Sequence, residues 1–498
     1  MNRVLNISDP AGGAGAAGIS SRPKIKPEPE AAAEPRGETA GAEVFFQTAD
    51  GEKRRGTPLR FTRHLAIFEW FHPGTLPQFS EALDDFKIIL QNQARYVGRA
   101  VVQNVLHAGA QTICEARLDE NSWHDGASGS GPVREQFRDF LQAWQKSYLV
   151  AAEYKAVVAD LQSFLNDLRL WLERVELELR ATSAAERARR EMEIAGKLRA
   201  PVLAVLAGLF ERFEAVSDRI PEEERPAHRA FGRRQLHPHL LGAPFFHRTY
   251  TKPLGYAGDH EMMSMIVRNE LAGDSLYARL VNAYLLDHAP CRAVRNRVSF
   301  LKRKIIAETG RVARAGQAAT IFSLGCGPAR EVVEFLDEHP LAKNPGFQLL
   351  DFNEAALAFV GGKLAEVKNR RSLPTPVRLV KNSVQNLLRG HRQSDLENAG
   401  FDLIYCSGLY DYLTDRVCQT LNNHLYDRLR PGGLLVVGNF GPGTPGRNLM
   451  EHLMDWFLIY RDHREIAALA PAAAAPADCQ VRVEDAGANL FLEVRKPA

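Results

Sequence analysis

The stretch Thr320-Ile-Phe-Ser-Leu-Gly-Cys-Gly-Pro-Ala-Arg-Glu331 limits the possible folds more than any other part of the chain. An apolar strand pattern runs straight into Gly325-Cys326-Gly327, and a helical pattern begins at Glu331 and continues through Leu336. Glycines at such a junction let backbone N–H groups come close to a ligand at the carboxyl edge of a parallel sheet. From Thr320 onward, strand and helix patterns alternate. Short alternating units of this kind build a parallel sheet with crossover helices. Position 330 is Arg, so the third glycine of the dinucleotide fingerprint is missing. That absence disfavours a nicotinamide cofactor and suits an adenosine-type ligand without a pyrophosphate. Alone, a Gly-x-Gly is more often an ordinary turn.

Four further motifs stand in register behind it. Phe347-Gln-Leu-Leu-Asp-Phe-Asn353 reads as a second strand ending in an acid, 26 positions after Gly325. A carboxylate there suits ribose hydroxyls, while Asn353 or Asp351 also suits the cap of a helix over Glu354–Val367. Val377–Lys381 reads as a strand followed by Asn382-Ser383, polar side chains suited to an adenine amino edge. Phe401-Asp-Leu-Ile-Tyr-Cys-Ser-Gly-Leu-Tyr-Asp-Tyr412 is a strand opening into a polar, aromatic loop that holds Ser407 and Gly408. Leu429-Arg-Pro-Gly-Gly-Leu-Leu-Val-Val-Gly-Asn-Phe440 reads as a helix end, a turn and a buried strand, and Val481–Val483 with Leu490–Val494 as a closing hairpin.

In this order the motifs resemble a class I S-adenosylmethionine-dependent methyltransferase over residues 299–498. The resemblance implies a Rossmann-like α/β domain with a seven-stranded sheet whose last strand is antiparallel. It further implies S-adenosylmethionine as cofactor, held by Gly325, Cys326, Gly327, Asp351, Phe352, Asn382, Ser383, Ser407 and Gly408. The acceptor is expected to be a small molecule.

The chain upstream divides by composition. Residues 1–40 are rich in Ala, Gly and Pro with almost no large apolar groups, as in a disordered tail. Residues 41–123 carry short β-like runs (Glu43–Thr48, Leu59–Phe71, Phe86–Leu90, Tyr96–Leu106, Gln111–Arg117) separated by turn residues, a small barrel or sandwich. This region resembles a PilZ-like barrel. No Arg-x-x-x-Arg pair occurs near Lys53–Arg63, and Leu106 stands where that family's binding motif has serine, so cyclic dinucleotide binding is not expected. Residues 124–133 read as a linker.

Residues 134–298 read as helical. Apolar residues from Phe137 to Leu179 recur every three or four positions, a stripe suited to helix packing and also to a homodimer. A second run covers Arg187–Val216, with Pro201 expected to kink or break it. Further helices are expected over Glu261–Asp287 and Cys291–Thr309. Within segment 237–263, the stretch Lys252–Glu261 is dense in Tyr, Lys, Asp and Glu beside two glycines, unusual for a mere connector.

Tyr250-Thr-Lys-Pro-Leu-Gly-Tyr-Ala-Gly-Asp-His-Glu-Met-Met263, Arg292-Ala-Val-Arg-Asn-Arg297 and Asp455-Trp-Phe-Leu-Ile-Tyr-Arg461 resemble the methyltransferases that make 3-hydroxypalmitic acid methyl ester, the "extracellular factor" signal. That resemblance makes 237–263 an active-site cover and implies catalytic roles for Tyr256, Asp259 and Tyr410. Lys252, Tyr460 and Arg461 would bind the acceptor, and Arg295 or Arg297 would meet the methionyl carboxylate. No histidine follows Ser407 in its loop, which favours a carboxylate acceptor needing no general base. A second reading makes the protein a regulatory scaffold whose methyltransferase fold only senses S-adenosylmethionine.

Bulk composition adds exclusions. A net charge of +3 is too small to suggest a nucleic-acid partner, and no apolar run is long enough for a membrane span. Six scattered cysteines without a Cys-x-x-Cys pair suit a reducing, cytoplasmic setting. Every chemistry-bearing motif follows Tyr250, so the barrel is not expected to be needed for chemistry.

Overall fold

Burial that alternates residue by residue marks the first strands: buried and half-buried positions take turns along β1 (Ala42–Gln47). In the computed structural model the described residues are 42–48, 51–62, 64–70, 80–90, 93–108, 111–119, 122–123, 150–389 and 400–498. The expected tail, the linker 124–133 and the stripe residues from Phe137 to Tyr148 lie outside them. Strands β2 (Lys53–Phe61), β3 (Leu65–Trp70), β4 (Ala82–Leu90), β5 (Gln93–Ala108) and β6 (Gln111–Leu118) complete a closed antiparallel barrel in the order β1-β2-β3-β6-β5-β4. Its core holds Val44, Phe46, Phe68, Phe86, Ile88 and Tyr96. The run read as Leu59–Phe71 is two strands, separated after Phe61 by a turn in which Thr62 Oγ1 accepts from Leu65 N.

The long helices α1 (Ala152–Leu179) and α2 (Ala184–Ser217) pack along their apolar stripes, Leu161, Leu165 and Leu172 facing a core shared with Leu206, Phe210 and Phe213. Pro201 does not end α2. Burial of Ala195, Val202 and Leu206 on either side offsets the roughly 3 kcal/mol that an interior proline costs. Five helices follow: α3 (Arg225–Leu240), α4 (Pro244–Thr251), α5 (His260–Arg268), α6 (Leu276–Asp287) and α7 (Ala289–Arg314). The helix expected over Glu261–Asp287 is thus broken, because Asn269 turns left-handed at φ +49° and caps α5.

The C-terminal unit begins with β7 (Thr320–Leu324) and α8 (Arg330–Glu338), then β8 (Gly346–Asp351), α9 (Glu354–Arg371), β9 (Val377–Lys381) and α10 (Val384–Arg389). Next come β10 (Phe401–Ser407), α11 (Asp415–Asp427), β11 (Leu429–Phe440), α12 (His463–Ala467), β12 (Cys479–Val483) and β13 (Asn489–Arg495). The sheet order is β12-β13-β11-β10-β7-β8-β9, all parallel except β13, which runs antiparallel to both neighbours. Leu429-Arg-Pro-Gly-Gly433 is not a separate turn: it opens β11, and the ladder slips from Phe401↔Leu429 to Leu403↔Leu434 around it. Strand order reverses between β7 and β10, which opens a crevice at their carboxyl ends, beside Gly325 and Ser407. All six cysteines are free, and among the described residues no helix is long and apolar enough to cross a membrane.

Candidate active site

The loop after β7 turns left-handed at Gly325 (φ +64°) and again at Gly327 (φ +50°), which side chains with a Cβ rarely adopt. Cys326 N donates to Leu350 O at 3.0 Å, tying the loop to the end of β8. There Asp351 accepts from Gly327 N at 2.9 Å on one oxygen and from Asn353 N at 2.9 Å on the other. Asn353 separately caps α9, accepting from Ala355 N and Ala356 N. The helix cap therefore falls on Asn353 and not on Asp351. Burial raises the Asp351 pKa, opposed by the backbone N–H groups of Asn353 and Gly327. A carboxylate has about four lone-pair sites, so two such bonds leave acceptor capacity for a ligand.

Next to this acid the ring of Phe352 is 36% exposed, with the ring of Tyr256 5.2 Å away. Asn382 N donates to Asp351 O at 3.1 Å, which brings Asn382 and Ser383 to the same edge. Asn382 Oδ1 accepts from Ser383 N, and Ser383 Oγ caps α10 at Asn386 N.

On the other side of the glycine loop lies a cavity of about 50 Å³ bordered by Arg297, Ser323, Gly325, Cys326, Glu331 and Ser407. The Ser407 hydroxyl is buried without a hydrogen-bond partner among the described residues. Gly408 is left-handed at φ +95°, and a Cβ there would stand 2.9 Å from Arg297 Nη1, so the bare backbone makes room for the guanidinium. Among the described residues, Arg297 has one hydrogen-bond contact, Nη2 to Met263 Sδ at 3.6 Å, and no ion pair. Burial lowers its pKa, with the charges of Asp411 and Glu331 acting against that. Glu331 is itself engaged, accepting from Tyr405 OH at 2.7 Å. Arg295, the other candidate, spends Nη1 on Ile266 O and Leu286 O.

Segment 237–263 reaches the Asp351 edge through Tyr256. Tyr256 OH accepts from Asn353 Nδ2 at 3.3 Å, and burial followed by the charges of Asp351 and Asp259 raises its pKa. Tyr412 OH accepts from Trp456 Nε1 at 2.8 Å and reaches Ala257 O at 3.4 Å.

The remaining residues singled out from the sequence hold loops together, and none lines the cavity. Asp259 caps α5 through Met262 N at 2.8 Å and pairs with Arg248 Nε at 2.9 Å. Lys252 is buried and donates from Nζ to Asp455 O at 2.8 Å. Tyr410 OH donates to Asn422 Oδ1 at 2.5 Å. Arg461, 1% exposed, clamps the 410–415 loop through Tyr410 O, Leu413 O, Asn439 Oδ1 and Asp415 Oδ1. Tyr460 packs beneath Arg447 at 4.7 Å, its hydroxyl buried and without a hydrogen-bond partner among the described residues. Glu331 and Tyr405 were missed in the sequence reading. The available signal was an acid in the first turn of α8, next to the apolar Val332, Val333 and Leu336.

Comparison with protein-family models and with curated proteins gives no match. Among solved structures, a possible exported protein from Bordetella parapertussis overlaps 51% of this chain and 85% of its own, at 16% identity and a TM-score of 0.40. The S-adenosylmethionine-dependent methyltransferase SibL in its apo form overlaps 69% and 96%, at 14% identity and a TM-score of 0.35. Magnesium protoporphyrin IX methyltransferase from Synechocystis PCC 6803, with bound S-adenosylhomocysteine, overlaps 42% and 86%, at 11% identity and a TM-score of 0.30. The fold is decided by the strand order rather than by these partial overlaps. Seven strands in the order found here, with one antiparallel, make the Rossmann-like sheet of class I methyltransferases.

Proposed function

We propose that the protein is an S-adenosylmethionine-dependent methyltransferase acting on a small molecule. The observation that carries this reading is the pair of charges flanking the glycine loop. Arg297 is a half-buried cation without an ion-pair partner among the described residues on one side, and Asp351 is a carboxylate with spare acceptor capacity on the other. A half-buried guanidinium without an acidic partner is suited to meeting an anion with charge-assisted hydrogen bonds. The methionyl carboxylate of the donor is such an anion, and the ribose diol suits Asp351. Phe352 and Asn382–Ser383 then border the adenine.

When bound, S-adenosylmethionine supplies a sulfonium methyl group whose C–S bond breaks toward sulfur as the acceptor's lone pair bonds to carbon. The protein's part is alignment, which can supply several kcal/mol of barrier lowering. Arg297 and Asp351 would fix the two ends of the donor, and Tyr256 and Tyr412 would wall off water.

For the acceptor, the reading is a carboxylate, specifically a 3-hydroxy fatty acid converted to its methyl ester. Two observations support it. Among the described residues, the one carboxyl lining the cavity, Glu331, is already engaged by Tyr405, and Met263, Val267, Val294, Val298 and Leu301 give the cavity an apolar side. A carboxylate is ionised near neutrality and needs no base. Lys252 and Arg461 are committed to backbone carbonyls, so neither is assigned to the acceptor. Labelled-methyl donor incubated with 3-hydroxypalmitate, amines and phenols tests this. A labelled ester is expected, and label in amines or phenols alone would refute the fatty-acid reading. Saturable donor binding without turnover on any acceptor would favour the sensor reading.

A further inference from the structure

The barrel grips the cover segment from behind. Ala82 N donates to Gly255 O at 2.6 Å, one residue before Tyr256. Arg99 donates from Nη1 to Tyr250 O at 2.7 Å and from Nη2 to Thr251 O at 3.1 Å, placing a cation at the C-terminus of α4. A second grip centres on Asp455, a non-glycine residue held left-handed at φ +53°. Its carboxylate pairs with Arg117 of the barrel and with Arg233 of α3. Its carbonyl accepts from Ser80 Oγ at 3.2 Å and from Lys252 Nζ at 2.8 Å. Phe457 N donates back to Ser80 Oγ at 3.4 Å, and the Arg117 guanidinium lies 5.3 Å from the Phe457 ring.

Both grips lead into the candidate site within one or two residues. Gly255 leads to Tyr256, which meets Asn353 and Phe352 beside Asp351. Asp455 leads to Trp456, which donates to Tyr412 OH, and Tyr412 touches Ala257 O. We propose that the barrel is a brace for the cover: Ser80, Arg99 and Arg117 are positioning residues that hold 250–258 over the donor and so set donor affinity. This revises the expectation that the barrel is dispensable, and its donor-affinity half rests on the methyltransferase reading above.

The test uses the full chain carrying Arg99→Met or Ser80→Ala, small changes chosen so that the protein folds, with exposed Arg55→Ala on the barrel as control. Hydrogen exchange is followed without donor. Amides of residues 250–258 should exchange at least about tenfold faster in both variants while amides of β7, β8 and β10 keep their protection. Arg99→Lys should recover part of the protection, because an ammonium can still reach one carbonyl. Donor Kd, measured separately, should rise several-fold in the two variants and stay unchanged in the control. Unaltered exchange at 250–258 in folded Arg99→Met and Ser80→Ala would overturn the brace. Faster exchange with no donor binding even in the unmutated protein would leave the brace standing and sink the methyltransferase reading instead.

Discussion

Replacing Arg297 with methionine separates two quantities that usually fall together. The side chain is half-buried beside Gly408 with no ion-pair partner among the described residues, so without ligand its charge adds little to the stability of the fold. Methionine keeps most of the volume and removes the charge, so the melting temperature of the ligand-free protein should stay level or rise. Donor binding should move the other way. A charge-assisted hydrogen bond to a carboxylate is worth about 1.5–3 kcal/mol, or roughly 10- to 150-fold in Kd. The loss should also depend on the ligand. S-adenosylmethionine and S-adenosylhomocysteine carry the carboxylate and should weaken by that factor. 5′-Methylthioadenosine lacks the amino-acid portion and should bind the variant as well as the original. Calorimetric titration of the three ligands, with thermal unfolding of both proteins, reads all of this. Equal weakening for the three ligands, or unchanged affinity for S-adenosylmethionine, would refute the assignment of Arg297.

Asp351→Ala should raise the donor Kd at least roughly tenfold, and because it also frees Gly327 N and Asn353 N it should lower the melting temperature, both readable in one thermal-shift titration. Arg461→Ala should cost on the order of 3–5 kcal/mol of stability by unlatching the 410–415 loop, measured by denaturant unfolding, with Lys a poor substitute because an ammonium cannot span the four partners. Glu214 is lifted from 4.5 to about 7, burial outweighing the backbone N–H groups of Asn448 and Leu449. The native state therefore holds a proton that the unfolded chain releases, so this contribution is full below pH 4.5 and is lost as pH rises through about 7. Glu214→Gln should flatten the fall in melting temperature across that window, and an unchanged slope would assign the fall to other groups.

Much of the fold was legible because the C-terminal unit states its topology locally. Each strand there is a short apolar run ending in a polar or glycine-rich loop, and the hairpin Cys479–Val483 with Asn489–Arg495 brackets a turn at Gly487. Gly325, Gly327 and Asp351 could be placed at one edge because strand ends adjacent in a parallel sheet come together whatever the intervening helices do. The polar side chains of 237–263 and of 455–461 were harder. Lys252, Asp259 and Arg461 have the composition of a site, yet each is spent on a cap, a carbonyl or a loop. Whether a charged residue meets ligand or backbone depends on contacts hundreds of positions away, such as Lys252 with Asp455, and no local pattern encodes that. The barrel's hold on Gly255 and Asp455 was invisible for the same reason.

The Gly325–Gly327 edge, between Arg297 and Asp351, is proposed as the site for S-adenosylmethionine. Isothermal titration of the full chain with S-adenosylmethionine tests it most directly. Saturable binding of one donor per chain is expected, retained by S-adenosylhomocysteine and weakened by both Arg297→Met and Asp351→Ala. Absence of saturable heat with either ligand, or binding that both variants leave intact, would contradict it.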